Sequence, residues 1–278
     1  MSAIFNIVSI PFGYVMRFIY DLVGNYGVAI ILFTILCKII LMPMTIKQKK
    51  STLAMQALQP KLLAVQKKWS ADRERMAAET QKVYEEAGVS PMGGCGTMLL
   101  TFPIMIGLYY VIVRPLTYLM HLSADQISAI STALGMEASA NVASELTLAG
   151  MINQNLAAAS AAVPEVIQMD YTFLGMNLTD TASFKALSIL WIIPVLSGLT
   201  SLLSTWLMQK KQQEAMKDNP QMAQTNSMMT MMMPMMSVYF GFVLPAGVGI
   251  YWIVNNLLTT LQDQILNKYF EKHPPVLD

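Results

Sequence analysis

The chain has few charged residues, cysteines and histidines. Asp, Glu, Lys and Arg make up 13% of its 278 residues, whereas 54% are hydrophobic. This composition excludes an ordinary water-facing globular domain and is typical of a protein with several transmembrane helices. The two cysteines, Cys37 and Cys95, fall at or in apolar segments, so they indicate neither a disulfide framework nor a metal site.

No pattern of catalytic or cofactor-binding residues is present in the sequence. The two histidines, His121 and His273, lie outside the long apolar segments, without a nucleophile motif or a metal-ligand cluster. We therefore predict no enzymatic activity, no metal, no cofactor and no direct nucleic-acid binding. The N-terminus lacks the basic start and the small-residue cleavage site of a signal peptide, so we expect no cleavable signal.

Five apolar segments are long enough to cross a bilayer, which takes about 20 helical residues. An amphipathic stretch precedes them, and because it contains Arg17 and Asp21 and is interrupted by Pro11, it predicts a helix lying in the membrane interface. We predict an all-α polytopic membrane protein with an interfacial helix (1–24), transmembrane helix 1 (25–46), a cytoplasmic helical hairpin (47–92), transmembrane helix 2 (93–116), an extracytoplasmic loop (117–183), transmembrane helix 3 (184–208), a cytoplasmic loop (209–227), transmembrane helices 4 and 5 as a hairpin (228–265) and a short cytoplasmic tail (266–278).

Two polar segments of the sequence, the 47–92 hairpin and the stretch 138–163, carry further structural expectations. In the 47–92 hairpin, Leu58, Leu62 and Val65 lie on one helical face, and Ser70 is the expected N-cap of the second helix. In the outer loop, the Ala- and Ser-rich stretch 138–163 is compatible with a helix or with a mobile segment.

The distribution of Lys and Arg predicts the orientation in the membrane. Residues 47–92 contain nine of these cations, 209–227 contain three and the tail contains two, so 14 of the 18 fall on one side. The loop 117–183 contains six acidic residues and no Lys or Arg. Because cytoplasmic loops are enriched in Lys and Arg, this pattern predicts an outside N-terminus and an inside C-terminus.

Lys38 is the main candidate functional residue. It lies within the first apolar segment, six residues before that segment ends at Met44. A lysine at the centre of a spanning helix costs roughly 2.5 to 3.5 kcal/mol, so it normally faces the protein interior or a water-filled cavity. The alternative is that Lys38 snorkels, since the helix end is only ~9 Å away. Thr34 precedes Lys38 by one turn and shares its helix face.

Polar and methionine side chains in the other spans have two interpretations. The hydroxyl and amide residues either line a wet groove beside Lys38 or serve as ordinary helix-packing positions. The Met-rich run 228–236 either fills gaps between helices or offers a surface for varied apolar partners. The polar residues concerned are Thr101, Ser197, Thr200, Ser201, Ser204, Asn255, Asn256 and Thr259.

Several motifs together resemble those of the YidC/Oxa/Alb family of membrane-protein insertases, in the Gram-positive form that lacks the large periplasmic domain. The resemblance covers nearly the whole chain in the order of five spans, without the N-terminal lipoprotein cysteine or the long basic tail of some relatives. The motifs are LCKIILMPMT (Leu36–Thr45), MQALQPK (Met55–Lys61), PMGGC (Pro91–Cys95), FLGMNL (Phe173–Leu178) and LPAG (Leu244–Gly247) with Ile250-Tyr251-Trp252 and Asn255-Asn256.

The resemblance implies five transmembrane helices around a hydrophilic groove that is closed to the outside and holds one essential positive charge. The matching position is Lys38, where most relatives have arginine. Thr34 and Thr101 match groove-lining positions, and Ser201 and Asn255 are further candidates for the groove. The third and fifth spans match a hydrophobic slide along which client helices leave. Its candidate residues are Trp191, Leu199, Tyr251 and Trp252.

The implied activity is insertion of client membrane proteins into the bilayer of the bacterial cell membrane, alone or with the Sec translocon. The resemblance also implies that the 47–92 hairpin receives substrates and contacts the ribosome or the signal-recognition targeting machinery. Two rival functions remain. A small-solute transporter with an anion site predicts inverted repeats, which the sequence lacks. A membrane chaperone that acts only after insertion is compatible with the sequence.

Overall fold

The computed structural model describes residues 2–89, 106–136, 144–183, 185–215 and 220–273. The prediction of an all-α protein is confirmed, because only one pair of two-residue strands interrupts the helices in these ranges. The helices are α1 (Ser2–Val23), α2 (Tyr26–Ile40), α3 (Met42–Lys68), α4 (Arg73–Glu86), α5 (106–113), α6 (Pro115–Tyr118), α7 (Ala124–Ala133), α8 (Ser144–Gln154), α9 (Leu156–Ala162), α10 (Ile192–Ala215), α11 (Pro220–Val243) and α12 (Ala246–Lys272).

Within the described residues, one helical stretch is long and apolar enough to cross a membrane by itself, Ile189–Met208. Helices α2 and α3 qualify together as a second, although a bend of 59° separates them. Within α11, Pro234–Val243 is an apolar helical stretch of shorter length. Most of the second predicted span, 93–116, lies outside the described residues. The five-span arrangement therefore stays a prediction.

The chain divides into two compact units. The first consists of Met1–Cys37, Phe102–Leu202 and Met232–Leu257, and the second consists of Lys38–Thr101, Leu203–Met231 and Leu258–Asp278.

In the first unit, the buried face of helix α1 has two small residues, Ser9 and Gly13, followed by the larger Met16 and Tyr20. Ser9 is fully buried, and a Cβ atom on Gly13 would lie 2.2 Å from the carbonyl oxygen of Tyr118 in α6. The opposite face exposes an apolar stripe, which suits contact with lipid. The helix is continuous through Pro11, contrary to the predicted interruption, although proline removes the hydrogen bond to the Ile7 carbonyl. The stripe is Ile7, Ile10, Tyr14, Phe18 and Leu22.

A short segment, 170–180, ties several helix ends of the first unit together. Tyr26 N–H donates to the Asp170 carbonyl (2.9 Å) at the start of α2, and Gly247 N–H donates to the Leu178 carbonyl (3.0 Å) at the start of α12. Between these contacts, β1 (Thr172–Phe173) pairs with β2 (Met176–Asn177). Within residues 117–183, the Ala- and Ser-rich stretch is helical as α8 and α9 over residues 144–162, except at Asn155 between them.

In the second unit, α3 and α4 pack against each other. Leu58 and Leu62 are buried, as the spacing predicts. The prediction of Ser70 as an N-cap is wrong. Asp72 occupies that position, with extended backbone, and its Oδ1 accepts a hydrogen bond from Arg75 N–H at 3.0 Å. A carboxylate there satisfies an unpaired helix N–H and interacts favourably with the helix dipole.

Candidate functional site

Lys38 lies two residues before the end of α2, which stops at Ile40 rather than continuing to Met44. Pro43, near the start of α3, has no backbone N–H. It therefore cannot donate the hydrogen bond to the Ile39 carbonyl that would continue helix α2. The Lys38 side chain is half-buried, and its Nζ donates to Thr259 Oγ1 at 2.7 Å. Among the described residues, no carboxylate lies within ion-pair distance of Lys38. Its hydrogen-bonding partner is therefore neutral, and no carboxylate of the described segments neutralises its charge.

Helix α12 contributes further polar contacts near Lys38 in the second unit. Gln262 Nε2 donates to the Lys38 carbonyl at 3.3 Å. Asp263 forms an ion pair with Lys49 on α3, and it also accepts a hydrogen bond from Asn267 at 3.0 Å. The sequence predictions missed Lys49, Gln262 and Asp263. The available signal was that Asp263 is the only acidic residue of the segment 247–265.

The other predicted groove residues are placed differently. Thr34 is 2% exposed, and its hydroxyl donates to the Ile30 carbonyl of its own helix at 2.7 Å. Ser201 is buried and Asn255 is half-buried, and both have polar or electrostatic interactions. These three residues belong to the first unit, whereas Lys38 belongs to the second. Thr101 lies outside the described residues, so the groove assignment of all four stays a prediction.

Some of the hydroxyl residues in the spans pack against each other. Ser197 on α10 and Ser237 on α11 are buried, with their hydroxyl oxygens 2.7 Å apart. The Asn256 amide of α12 donates to Thr200 Oγ1 of α10 at 3.5 Å. For these residues the structure favours the packing interpretation, because their side chains satisfy one another between helices of the first unit.

The four predicted slide residues differ in exposure. Leu199 on α10 is 56% exposed, whereas Tyr251 on α12 is 5% exposed. Trp191 is half-buried, and its Nε1 donates to the Ser183 carbonyl at 2.9 Å. Trp252 stacks on Phe240 with ring centroids 5.7 Å apart. The structure thus places Leu199 on an outward surface and Tyr251 in the core, and their assignment to a slide stays a prediction.

Apolar side chains of α10 and α11 form exposed surfaces in the first unit. The Met-rich run contributes Met232, Met235 and Met236 to the surface of α11. The exposure of these methionines argues against a role in filling gaps, and the interpretation that they bind varied apolar partners stays a prediction. On α10, the exposed residues of the first unit are Ile192, Val195, Leu196, Leu199 and Leu202.

Comparisons with known proteins agree with the motifs. The membrane protein insertase YidC 2 of Listeria innocua is 29% identical, over 94% of this chain and 71% of its own length. The membrane protein insertase YidC of Fusobacterium nucleatum is 28% identical, over 96% and 98%. The chloroplast inner membrane protein ALBINO3 of Arabidopsis thaliana is 31% identical, over 87% and 46%.

A family-level match identifies the group to which the chain belongs. The model of the 60Kd inner membrane protein family matches residues 18–273, from within α1 to just beyond α12. The match includes Lys38 and its hydrogen-bonding partners Thr259 and Gln262. The family resemblance is therefore confirmed, and the chain belongs to the 60Kd inner membrane protein family, whose curated members include the YidC insertases.

Proposed function

We propose that this protein is a membrane-protein insertase and chaperone. It moves short hydrophilic segments of client proteins across the membrane and releases their transmembrane helices into the bilayer, alone or with the Sec translocon. Family membership and the names of the relatives support the activity. The observation that carries the mechanism is the half-buried ammonium of Lys38, which is bonded to the neutral hydroxyl of Thr259.

A cation in an apolar helix whose charge is not neutralised by a carboxylate attracts the acidic residues of a translocating segment. Two opposite charges 4 Å apart interact by about 1 kcal/mol in water and by about 4 kcal/mol at an effective dielectric constant of 20. An attraction in this range holds a client carboxylate briefly and still permits its release. Lysine offers a mobile point charge rather than the bidentate fork of arginine, so we expect capture by Lys38 to be weaker than by arginine.

Transfer of the client helix into lipid supplies the driving force. Removal of apolar surface from water contributes about 25 cal/mol per Å². The exposed apolar surfaces of α10 and α11 offer a client helix an apolar environment before it reaches lipid. A membrane potential adds about 2.3 kcal/mol per elementary charge for each 100 mV, which favours outward movement of negative segments. The proposed activity forms and breaks no covalent bond.

The proposed setting is the plasma membrane of a bacterium, with five spans, an outside N-terminus and an inside C-terminus. In this arrangement the hairpin of α3 and α4 faces the cytoplasm, where it receives clients and meets the ribosome or the signal-recognition targeting machinery. Trp69 at the tip of this hairpin lies near two cations. The centroid of its ring is 5.3 Å from Lys68 Nζ and 5.1 Å from Arg75 Cζ. The whole segment 47–92 contains nine Lys and Arg against five Asp and Glu, and this positive charge supports recognition of an acidic partner.

The function is tested by insertion into liposomes of a single-span client with a short acidic N-terminal tail, scored by protease protection. We expect wild type and Lys38→Arg to insert the client, and Lys38→Ala and Lys38→Glu to fail although folded. Losing an attraction of about 1 to 4 kcal/mol lowers insertion by roughly 5- to 700-fold. Lys50→Ala is the matched control, because Lys50 is an exposed lysine on α3. Equal insertion by all the Lys38 variants would refute the role of this charge.

A further inference from the structure

The ion pair between Lys49 of α3 and Asp263 of α12 is the most buried of the ion pairs in the described parts of the chain. The exposed fractions of the two side chains are 16% and 10%. Both carboxylate oxygens of Asp263 are engaged, Oδ1 by Lys49 and Oδ2 by the Asn267 amide. Lys49, Asp263 and Asn267 all belong to the second unit. An ion pair removed from water in this way requires good geometry, because desolvation offsets most of its attraction.

A buried pair of this kind adds little to stability, because apolar residues of similar volume often replace it without loss. Thr259, Asp263 and Asn267 are spaced by four residues on α12 and therefore lie on one helix face. Thr259 holds the Lys38 ammonium, and Asp263, one turn later, holds Lys49. A shift of α12 by one residue would rotate this face by about 100° and move it by about 1.5 Å, which would break both contacts.

We propose that Lys49 and Asp263 are positioning residues for Lys38. Their ion pair fixes the register of α12 against α3, so that Thr259 meets the Lys38 ammonium and Gln262 meets the Lys38 carbonyl. Asp263 also neutralises Lys49, so the uncompensated charge of this cluster is that of Lys38. Rotation of α12 would leave Lys38 charged but would remove the Thr259 contact that fixes the position of its ammonium. Capture of acidic clients would then weaken. This inference rests on the proposed role of Lys38 in client capture.

The test compares two double variants that leave the net charge unchanged. Lys49→Asp with Asp263→Lys keeps a reversed ion pair, whereas Lys49→Met with Asp263→Leu removes the pair. Replacement of a buried ion pair by apolar residues is often neutral or stabilising, so the second variant is expected to fold. Lys50→Met serves as the control for loss of an exposed lysine on α3. Thermal unfolding in detergent verifies that each variant is folded.

The readout is the ratio of insertion of an acidic-tail client to that of a neutral-tail client. We expect the apolar pair to lower this ratio about three- to tenfold, which lies in the lower part of the range that coupling between neighbouring residues gives, and the reversed pair to stay within about twofold of wild type. A merely structural role would lower insertion of both clients equally. An unchanged ratio in the apolar pair, or a lost preference in the reversed pair, would overturn the proposal.

Two further comparisons separate this proposal from the function on which it rests. If Lys38→Ala lowers the ratio and the apolar pair does not, the positioning role fails alone. If Lys38→Ala leaves the ratio unchanged, the capture role of Lys38 fails and the positioning role fails with it. Should the apolar pair not fold, Lys49→Met with Asp263→Asn replaces it, because this pair also leaves the net charge unchanged and asparagine still accepts a hydrogen bond from Asn267. It should lower the ratio in wild type and cause no further loss in Lys38→Ala.

Discussion

Glu145 on α8 is a carboxylate with little exposed surface, held by a neighbouring helix. Its side chain is 13% exposed and accepts hydrogen bonds from Thr117 N–H (3.1 Å) and Thr117 Oγ1 (2.8 Å). Burial raises the pKa of this carboxyl. The two hydrogen bonds from Thr117 and the positive charge of Arg114, whose Nε lies 3.9 Å from Glu145 Oε1, lower the pKa but offset only part of that rise. The folded protein therefore holds the Glu145 proton more tightly than the unfolded chain does.

This shift predicts how stability changes with pH. A carboxyl whose pKa is raised by folding contributes stability that is fully present below the unfolded value of 4.5, and that contribution is lost as the pH rises through the folded value. Glutamine keeps the shape and both contacts with Thr117 but does not titrate. We expect the thermal stability of Glu145→Gln relative to wild type to increase as the pH is raised from 4 towards 7.

Unfolding temperatures of both proteins, measured in detergent across this pH range, check the prediction. The other carboxylates titrate in both proteins, so the difference between the two curves isolates Glu145. Curves that stay parallel over the whole range would show that ionisation of Glu145 does not affect stability.

Sequence reasoning found Lys38 because a cation within an apolar helix is visible from hydropathy alone. It did not find the Lys49–Asp263 pair, whose members are 214 residues apart in the chain. It also could not tell that the Thr34 hydroxyl donates to its own backbone, because a threonine on a helix has this local partner available as well as a groove. Candidate side chains are thus readable from sequence, whereas their hydrogen-bonding partners depend on the fold.

Helix α1 illustrates the same limit for a whole element. Its sequence predicts an amphipathic helix, but not what covers each face. In the structure, Ser9 and Gly13 face the first unit, and large apolar residues such as Phe18 and Leu22 face outwards. A membrane protein can expose its apolar face, because lipid takes the place of the protein core.

The close approach of α1 to α6 depends on Gly13. A Cβ atom there would lie 2.2 Å from the Tyr118 carbonyl oxygen, so backbone would have to move. We expect Gly13→Ala to destabilise the protein by about 1 to 3 kcal/mol, the usual cost of overpacking. Thermal unfolding in detergent measures this loss.

Gly247→Ala is a matched control for this substitution. The nearest atoms to a Cβ at Gly247 are 3.4 to 3.7 Å away, which is ordinary van der Waals contact. This variant should unfold within a few degrees of wild type. Equal unfolding temperatures for Gly13→Ala and wild type would show that α1 has room to move away from α6.

At the scale of the whole molecule, the family could be predicted from sequence because its motifs are short and local. The ends of the helices could not be predicted in this way, because hydropathy reports the apolar part of a helix rather than its full length. The last predicted span ends at 265, yet α12 continues to Lys272. Leu266 and Phe270, four residues apart, are both buried in this extension, so packing within the second unit prolongs the helix.

The orientation of the chain is predicted by its charges and is open to a direct test. Residues 47–92 contain nine Lys and Arg, whereas 117–183 contain none. Asp125 at the start of α7 and Arg73 at the start of α4 are both exposed, and they form a matched pair of labelling sites. Each is changed to cysteine after Cys37 and Cys95 have been replaced by alanine.

In intact cells, a membrane-impermeant maleimide should label Asp125→Cys and leave Arg73→Cys unlabelled, because cations of the hairpin are retained on the cytoplasmic side. Equal labelling of both variants after permeabilisation excludes a difference in thiol reactivity. The reverse pattern in intact cells would place the hairpin outside the cell. It could not then receive clients from the cytoplasm, so this result would refute both the predicted orientation and the proposed route of insertion.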